Sequence, residues 1–128
     1  MSRLTIIGAG YVGLVTAACM AELGHHVVGL DIDPERVRRL NAGEVPIFEP
    51  GLSELIAANN ARLSFTTDAA EAHAAGEFVF LCVDTPPTYS GDADLTHVWQ
   101  AIESMPLSDG DRVLVTKSTV PVLSLIHI

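Results

Sequence analysis

Leu4-Thr5-Ile6-Ile7-Gly8-Ala9-Gly10-Tyr11-Val12-Gly13, followed by His26-Val27-Val28-Gly29-Leu30 and then Asp31, decides the fold of this 128-residue chain. The first four residues form an apolar, β-branched run, which reads as a buried strand. Three glycines follow at once. Leu14 to Leu23 has helical composition and Gly24 stops it. The second apolar run ends in an acid. Strand, glycine turn, helix, strand and acid is the order of a dinucleotide-binding βαβ unit. Gly8 permits a tight turn out of the strand. Gly10 has no Cβ, so a pyrophosphate can approach the backbone, and Gly13 lets the helix pack closely on the sheet. The helix start offers free N–H groups and a positive dipole end to phosphates. Asp31 lies twenty-three residues after Gly8, close to the ~20 at which an acid meets the adenosine ribose hydroxyls. A carboxylate there repels a 2′-phosphate, and no arginine follows it immediately, so the expected cofactor is NAD.

Composition supports a single packed domain. Hydrophobic residues make up 48% of the chain and charged residues 18%, which suits a buried parallel sheet and argues against disorder. The net charge of −9 makes nucleic acid and anionic membranes poor partners. No apolar run approaches the ~20 residues of a membrane span. Met1-Ser2-Arg3 leads straight into the first strand and leaves no room for a signal peptide, so the expected compartment is cytoplasmic. Cys19 and Cys82 are expected as two buried thiols, without a disulfide and without zinc-ligand spacing. The five histidines are scattered, so no metal site is expected.

Strand and helix patterns alternate along the chain. Asp33-Pro34 opens a second helix, with proline in the first turn, and Asn41-Ala42-Gly43 closes it. Val45 to Pro50 reads as a loop and Gly51 to Asn59 as a short helix. Leu63 to Thr66 reads as a third strand. Asp68 is placed to cap an alanine-rich helix running to Ala75. Phe78 to Val83 is the strongest buried-strand run. A loop from Asp84 to Asp94 precedes a helix from Leu95 to Ser104 and a fifth strand from Arg112 to Thr116. This alternation predicts an α/β, Rossmann-like, doubly wound parallel sheet with helices on both faces. Its ligand crevice lies beyond the carboxyl ends of the strands. That brings together four segments: Gly8–Gly13, Asp31–Arg36, Val83–Pro87 and Lys117–Val120.

Five motifs in order then identify a resemblance covering residues 1–122. Gly8-Ala9-Gly10-Tyr11-Val12-Gly13-Leu14, Pro46-Ile47-Phe48-Glu49-Pro50-Gly51-Leu52, Thr85-Pro86, Ala93-Asp94-Leu95 and Lys117-Ser118-Thr119-Val120-Pro121-Val122 are similar to motifs of the UDP-glucose/GDP-mannose dehydrogenases. The chain resembles their N-terminal NAD-binding domain. The order Ser118-Thr119-Val120-Pro121-Val122 is more similar to the branch acting on UDP-glucose than to the GDP-mannose branch. The resemblance implies an NAD-dependent double oxidation of the sugar's primary alcohol to a carboxylate, through a cysteine thiohemiacetal and thioester. It also implies a homo-oligomer at full length.

The same resemblance implies roles for single residues. Gly8, Gly10, Tyr11, Val12 and Gly13 would hold the pyrophosphate and Asp31 the adenosine ribose. Arg36 would lie against the adenine, and Thr85 and Pro86 would line the crevice. Thr119 would sit near the nicotinamide in a supporting catalytic role. Glu49 would shape its loop. The family's nucleophilic cysteine and UDP-binding domain have no counterpart here, since Cys19 and Cys82 match neither its motif nor its position. The chain is therefore expected to be an inactive fragment truncated at the C-terminus, with residues 123–128 (Leu-Ser-Leu-Ile-His-Ile) a non-native tail. Asp84 departs from the family pattern without a clear consequence. Two other classes remain open on the glycine turn alone: a nucleotide-sensing regulatory domain and another NAD-dependent dehydrogenase, such as a hydroxyacid enzyme. Neither has reason to carry the P-I-F-E-P-G-L or K-S-T-V-P-V segments.

Overall fold

Short β-branched and aromatic runs supply the strands, and alanine- and leucine-bearing segments supply the helices between them. The computed structural model describes residues 2–46, 48–83, 94–103, 105 and 112–117. In chain order these form β1 (Arg3–Ile7), α1 (Tyr11–Glu22), β2 (His26–Leu30), α2 (Pro34–Asn41) and α3 (Leu52–Ala58). Then follow β3 (Leu63–Thr66), α4 (Ala69–Ala75), β4 (Phe78–Leu81), α5 (Thr96–Glu103) and β5 (Val113–Thr116). All strand pairs are parallel, in the order β3-β2-β1-β4-β5. The chain winds outward from β1 through β2 to β3, then crosses back to β4 and β5. The direction of winding therefore reverses between β1 and β4. Ile7 is level with both Leu30 and Leu81, so the carboxyl ends of the central strands open onto one edge.

Alternate residues of β1 feed two separate cores. Leu4 and Ile6 pack with Leu14, Ala17 and Ala18 of α1, Leu40 of α2 and Ile56 of α3. Ile7 packs with Leu81 and Val79, Ala72 of α4, and Val98 and Ala101 of α5. Period-2 alternation with both faces apolar is what a covered parallel sheet needs. The expected doubly wound sheet is thus present, with helices on both faces.

Local chemistry sets the element ends. Asp33 caps α2, its Oδ1 accepting from the N–H groups of Glu35 at 3.0 Å and Arg36 at 3.3 Å, with Pro34 in the first turn. Asp68 caps α4 in the same way, through Ala70 and Glu71. Three expectations need correction. Helix α1 begins at Tyr11 rather than Leu14, because Gly10 is its N-cap and the glycine motif itself forms the first turn. Strand β4 ends at Leu81 rather than Val83. The Cys82 N–H still bonds the Ile7 carbonyl at 2.8 Å, but the chain then leaves the sheet at the crevice. Cys19 is exposed and only Cys82 is buried. The buried face of α1 runs through Gly13, Leu14, Ala17, Ala18 and Ala21, which leaves Cys19 on the opposite side.

Among the described residues, one buried side chain is left without a hydrogen-bond partner. His73 on α4 is fully buried, and neither ring nitrogen has a hydrogen-bond partner. Burial, and secondarily the Arg112 guanidinium, hold its imidazole below the ordinary 6.5. Below pH 6.5 the unfolded chain therefore takes up a proton that the folded chain refuses. The stability this neutral ring carries is fully present above that pH and is lost as the pH falls. The expected loss is at most about 1.4 kcal/mol for one pH unit below the unfolded value. Urea unfolding at several pH values should show this slope in the native chain and a flatter profile in His73→Leu; equal slopes would contradict it.

Candidate functional site

The carboxyl edge of the sheet holds a cavity of about 300 Å³. It lies at the reversal between β1 and β4, where the crevice of such a sheet is expected. Its walls come from the ends of three strands and from two helices: Gly8 and Gly10 after β1, Asp31 and Ile32 after β2, Cys82 and Val83 after β4, Arg36 on α2, and His97 and Gln100 on α5.

The glycine turn is built by close approach. Gly8 has φ +100°, a left-handed conformation that side chains disfavour, and an added Cβ would lie 2.8 Å from the Cys82 carbonyl oxygen. A Cβ on Gly13 would collide with the Gly8 carbonyl oxygen. Helix α1 therefore sits directly on the turn that precedes it. Its first intrahelical bond runs from Leu14 N–H to the Gly10 carbonyl at 2.9 Å. The N–H groups of Tyr11, Val12 and Gly13 precede that bond and have no intrahelical acceptor. They form the expected anion-binding end of the helix.

Asp31 ties this turn to β2. It is 9% exposed. Its Oδ2 accepts from the Ala9 N–H at 2.8 Å and its Oδ1 from the Asp33 N–H at 2.9 Å. Arg36 Nη1 lies 3.6 Å from the same Oδ2. The cavity wall thus presents a carboxylate whose position is fixed from three sides. Ile32 stands beside it, 82% exposed, as an apolar face on the rim.

The structure brings Gly8, Gly10, Asp31 and Arg36 to the cavity wall. Tyr11, Val12 and Gly13 do not line it. Their contribution is the backbone at the start of α1, and the Tyr11 side chain turns away. Its hydroxyl donates to Glu49 Oε2 at 2.9 Å, joining the glycine turn to the Glu49-Pro50-Gly51 loop. Thr85, Pro86 and Thr119 lie outside the described residues, as do Ile47, Asp84, Ala93, Ser118 and residues 123–128. His97 and Gln100 were not among the sequence candidates. Only the strand order, which carries α5 onto the Ile7 face, reveals them; their one sequence signal is that each directly precedes a buried apolar residue, Val98 or Ala101. Cys82 lines the cavity, but burial pushes its thiol up to about 11, so it is a poor thiolate. Among the described residues no cluster of three or more histidines, cysteines or acids could hold a metal ion. No described helix is long and apolar enough to cross a membrane.

A model of the UDP-glucose/GDP-mannose dehydrogenase family, NAD binding domain, matches residues 2–128. The chain belongs to this family. The UDP-glucose 6-dehydrogenase of Pseudomonas aeruginosa is 50% identical over 123 residues, covering 94% of this chain and 27% of that protein. The UDP-glucose 6-dehydrogenase TuaD of Bacillus subtilis is 44% identical over 125 residues, covering 95% and 27%. A GDP-mannose dehydrogenase from Pseudomonas aeruginosa, solved as a ternary complex, superposes with TM-score 0.88 at 35% identity, covering 92% of this chain and 28% of that one. The chain thus spans little more than a quarter of these relatives. It is an NAD-binding domain.

Two outcomes follow from this geometry. Asp31→Ala removes the acceptor of two backbone N–H groups, so it should destabilise the chain by about 1.5–3 kcal/mol even without cofactor. Urea unfolding of both proteins checks this, and equal midpoints would contradict it. The hydrogen bond to Glu49, and that acid's charge, hold the Tyr11 phenol above its ordinary 10.0. In a Tyr89→Phe background, Glu49→Gln should lower the phenolate titration midpoint towards 10.0. An unchanged midpoint would show that the two side chains do not meet.

Proposed function

We propose that this domain holds NAD with its pyrophosphate on the Gly8–Gly13 turn, its adenosine ribose on Asp31, and its adenine between Ile32, Arg36 and the α5 wall. The observation that carries the reading is the Asp31 carboxylate. It is held by the Ala9 N–H, so that the ribose acid and the phosphate turn form one unit at the cavity wall. A volume of about 300 Å³ suits the nucleoside half of a dinucleotide, at the lower end of the ~300–1,000 Å³ common for ligand pockets. Thr85 and Pro86, by their place in the sequence, would line the crevice further along, and Thr119 would face the nicotinamide end.

The whole protein would be a UDP-glucose 6-dehydrogenase. It would oxidise the primary alcohol of UDP-glucose twice, to the carboxylate, reducing two NAD+ and consuming one water. The curated relatives at 44–50% identity and the Ser118-Thr119-Val120-Pro121-Val122 order support this sugar over GDP-mannose. Neither thiol of this chain suits the covalent step. Cys82 is buried and held protonated, and Cys19 lies out on α1. The domain's task is to bind and orient the hydride acceptor.

Calorimetric titration with NAD+ tests the site. The chain should bind NAD+, and Gly10→Val should abolish binding while circular dichroism shows the fold retained, because the added methyls fill the space a pyrophosphate needs. A folded Gly10→Val chain that binds NAD+ normally would place the phosphate site elsewhere. Titration of the chain with NADH absorbance as readout, in the presence of UDP-glucose and NAD+, should show no turnover; steady turnover would place a nucleophile among these residues.

A further inference from the structure

Asn41 is the last residue of α2, and its side chain reaches a strand. Its Nδ2 donates to the Phe65 carbonyl at 2.9 Å, and its Oδ1 accepts from the Phe65 N–H at 3.1 Å. Only one orientation of the amide makes both bonds. Among the described residues β3 is an outer strand of the sheet, paired to β2 alone. The Arg62 and Thr66 carbonyls accept from the Val27 and Asp31 N–H groups at 2.8 and 3.2 Å, so the even-numbered residues here face β2. Bonding sides alternate along a ladder, which turns the backbone groups of Leu63 and Phe65 outward to the open edge. Phe65 is fixed in that posture. Its ring is buried over Gly29, where a Cβ would meet it at 2.5 Å.

We propose that Asn41 closes the sheet edge: its amide stands in for the strand that β3 lacks and keeps β3 from pairing with β3 of a second copy. An edge strand offers its free N–H and C=O groups to any chain that can lie beside it. In an antiparallel ladder, two facing residues exchange both of their N–H···O bonds. A two-fold axis beside Phe65 would set the same residue of a second copy in that relation, so this edge is complementary to itself. The Asn41 amide makes the same two bonds from within the chain, with one donor and one acceptor on a planar group. Apart from its shortness, Leu63-Ser64-Phe65-Thr66 carries no other device that blunts an edge, neither lysine nor proline. Val37 and Leu40 seat α2 on the core, and the next residue along the helix is the one that reaches the edge. Asparagine is a weak helix former; at this position its amide is used by the sheet.

Amide exchange by NMR and light scattering over a concentration series test this on the whole chain. In Asn41→Ala the Phe65 amide should exchange about tenfold faster or more, while the Val79 and Leu81 amides of β4 keep their protection. Asn41→Asp keeps an acceptor for the Phe65 N–H and loses the donor to its carbonyl, so it should retain most of the Phe65 protection. A role in packing alone would not separate these two variants. The mean mass of Asn41→Ala should rise with concentration above that of the native chain. Adding Ser64→Lys, on the exposed side of β3, should return it to the native value, because like charges would meet across the two-fold pairing. Asn41→Ser, too short to make both bonds, takes the place of Asn41→Ala if circular dichroism shows that the alanine variant does not fold. Unchanged Phe65 exchange, no rise in mass, or a rise that survives Ser64→Lys overturns the proposal.

Discussion

A hydrogen bond of 2.8 Å from the Ala9 N–H to the Asp31 carboxylate holds together the turns that follow β1 and β2. Beside it the Gly8 N–H bonds the Leu30 carbonyl at 2.7 Å, which carries the β1–β2 pairing into the turn. The acid at the end of β2 is therefore also the acceptor that sets the course of the glycine turn after β1. A charged acceptor strengthens such a bond in a site shielded from water. The remaining oxygen fixes the Asp33 N–H, and Asp33 then caps α2. From one carboxylate, order passes to the glycine turn on one side and to the helix that carries Arg36 on the other.

Close backbone approach is the second constraint, and it explains why small residues dominate this edge. The Gly8 carbonyl sits where any Cβ on Gly13 would fall, and the Cys82 carbonyl crowds Gly8. Segments from β1, α1 and β4 thus meet so closely that neither Gly8 nor Gly13 has room for a Cβ. The start of α1 then keeps its first N–H groups clear of intrahelical acceptors. Tyr11 extends the arrangement outward through its bond to Glu49, which attaches the Glu49-Pro50-Gly51 segment to the start of α1.

Much of this was legible in the sequence because its chemistry is local. The strand–glycine–helix–strand order, the caps Asp33 and Asp68, and the role of Gly13 each depend on neighbours a few residues apart. What was not legible depends on tertiary placement. Helix α1, Tyr-Val-Gly-Leu-Val-Thr-Ala-Ala-Cys-Met-Ala-Glu, is apolar nearly all round, so composition alone does not say which side is buried or that Cys19 lies on the exposed one. The alanine-rich α4 has no polar stripe to show that His73 points inward. The ion pair between Arg36 and Asp31 depends on how tightly the Asp33-Pro34 turn folds back. His97 and Gln100 reach the cavity only because the chain crosses β1 to form β4.

The exchange rate of the Ala9 amide, followed by NMR in the chain without cofactor, tests most directly whether Asp31 holds the glycine turn. If it does, Ala9 exchanges slowly in the native chain and at least about tenfold faster in Asp31→Ala, a change of ~1.4 kcal/mol, while the amides of Val79 and Leu81 in β4 keep their protection. An Ala9 amide that exchanges as fast as an exposed one in the native chain, or equally in both proteins, would contradict it.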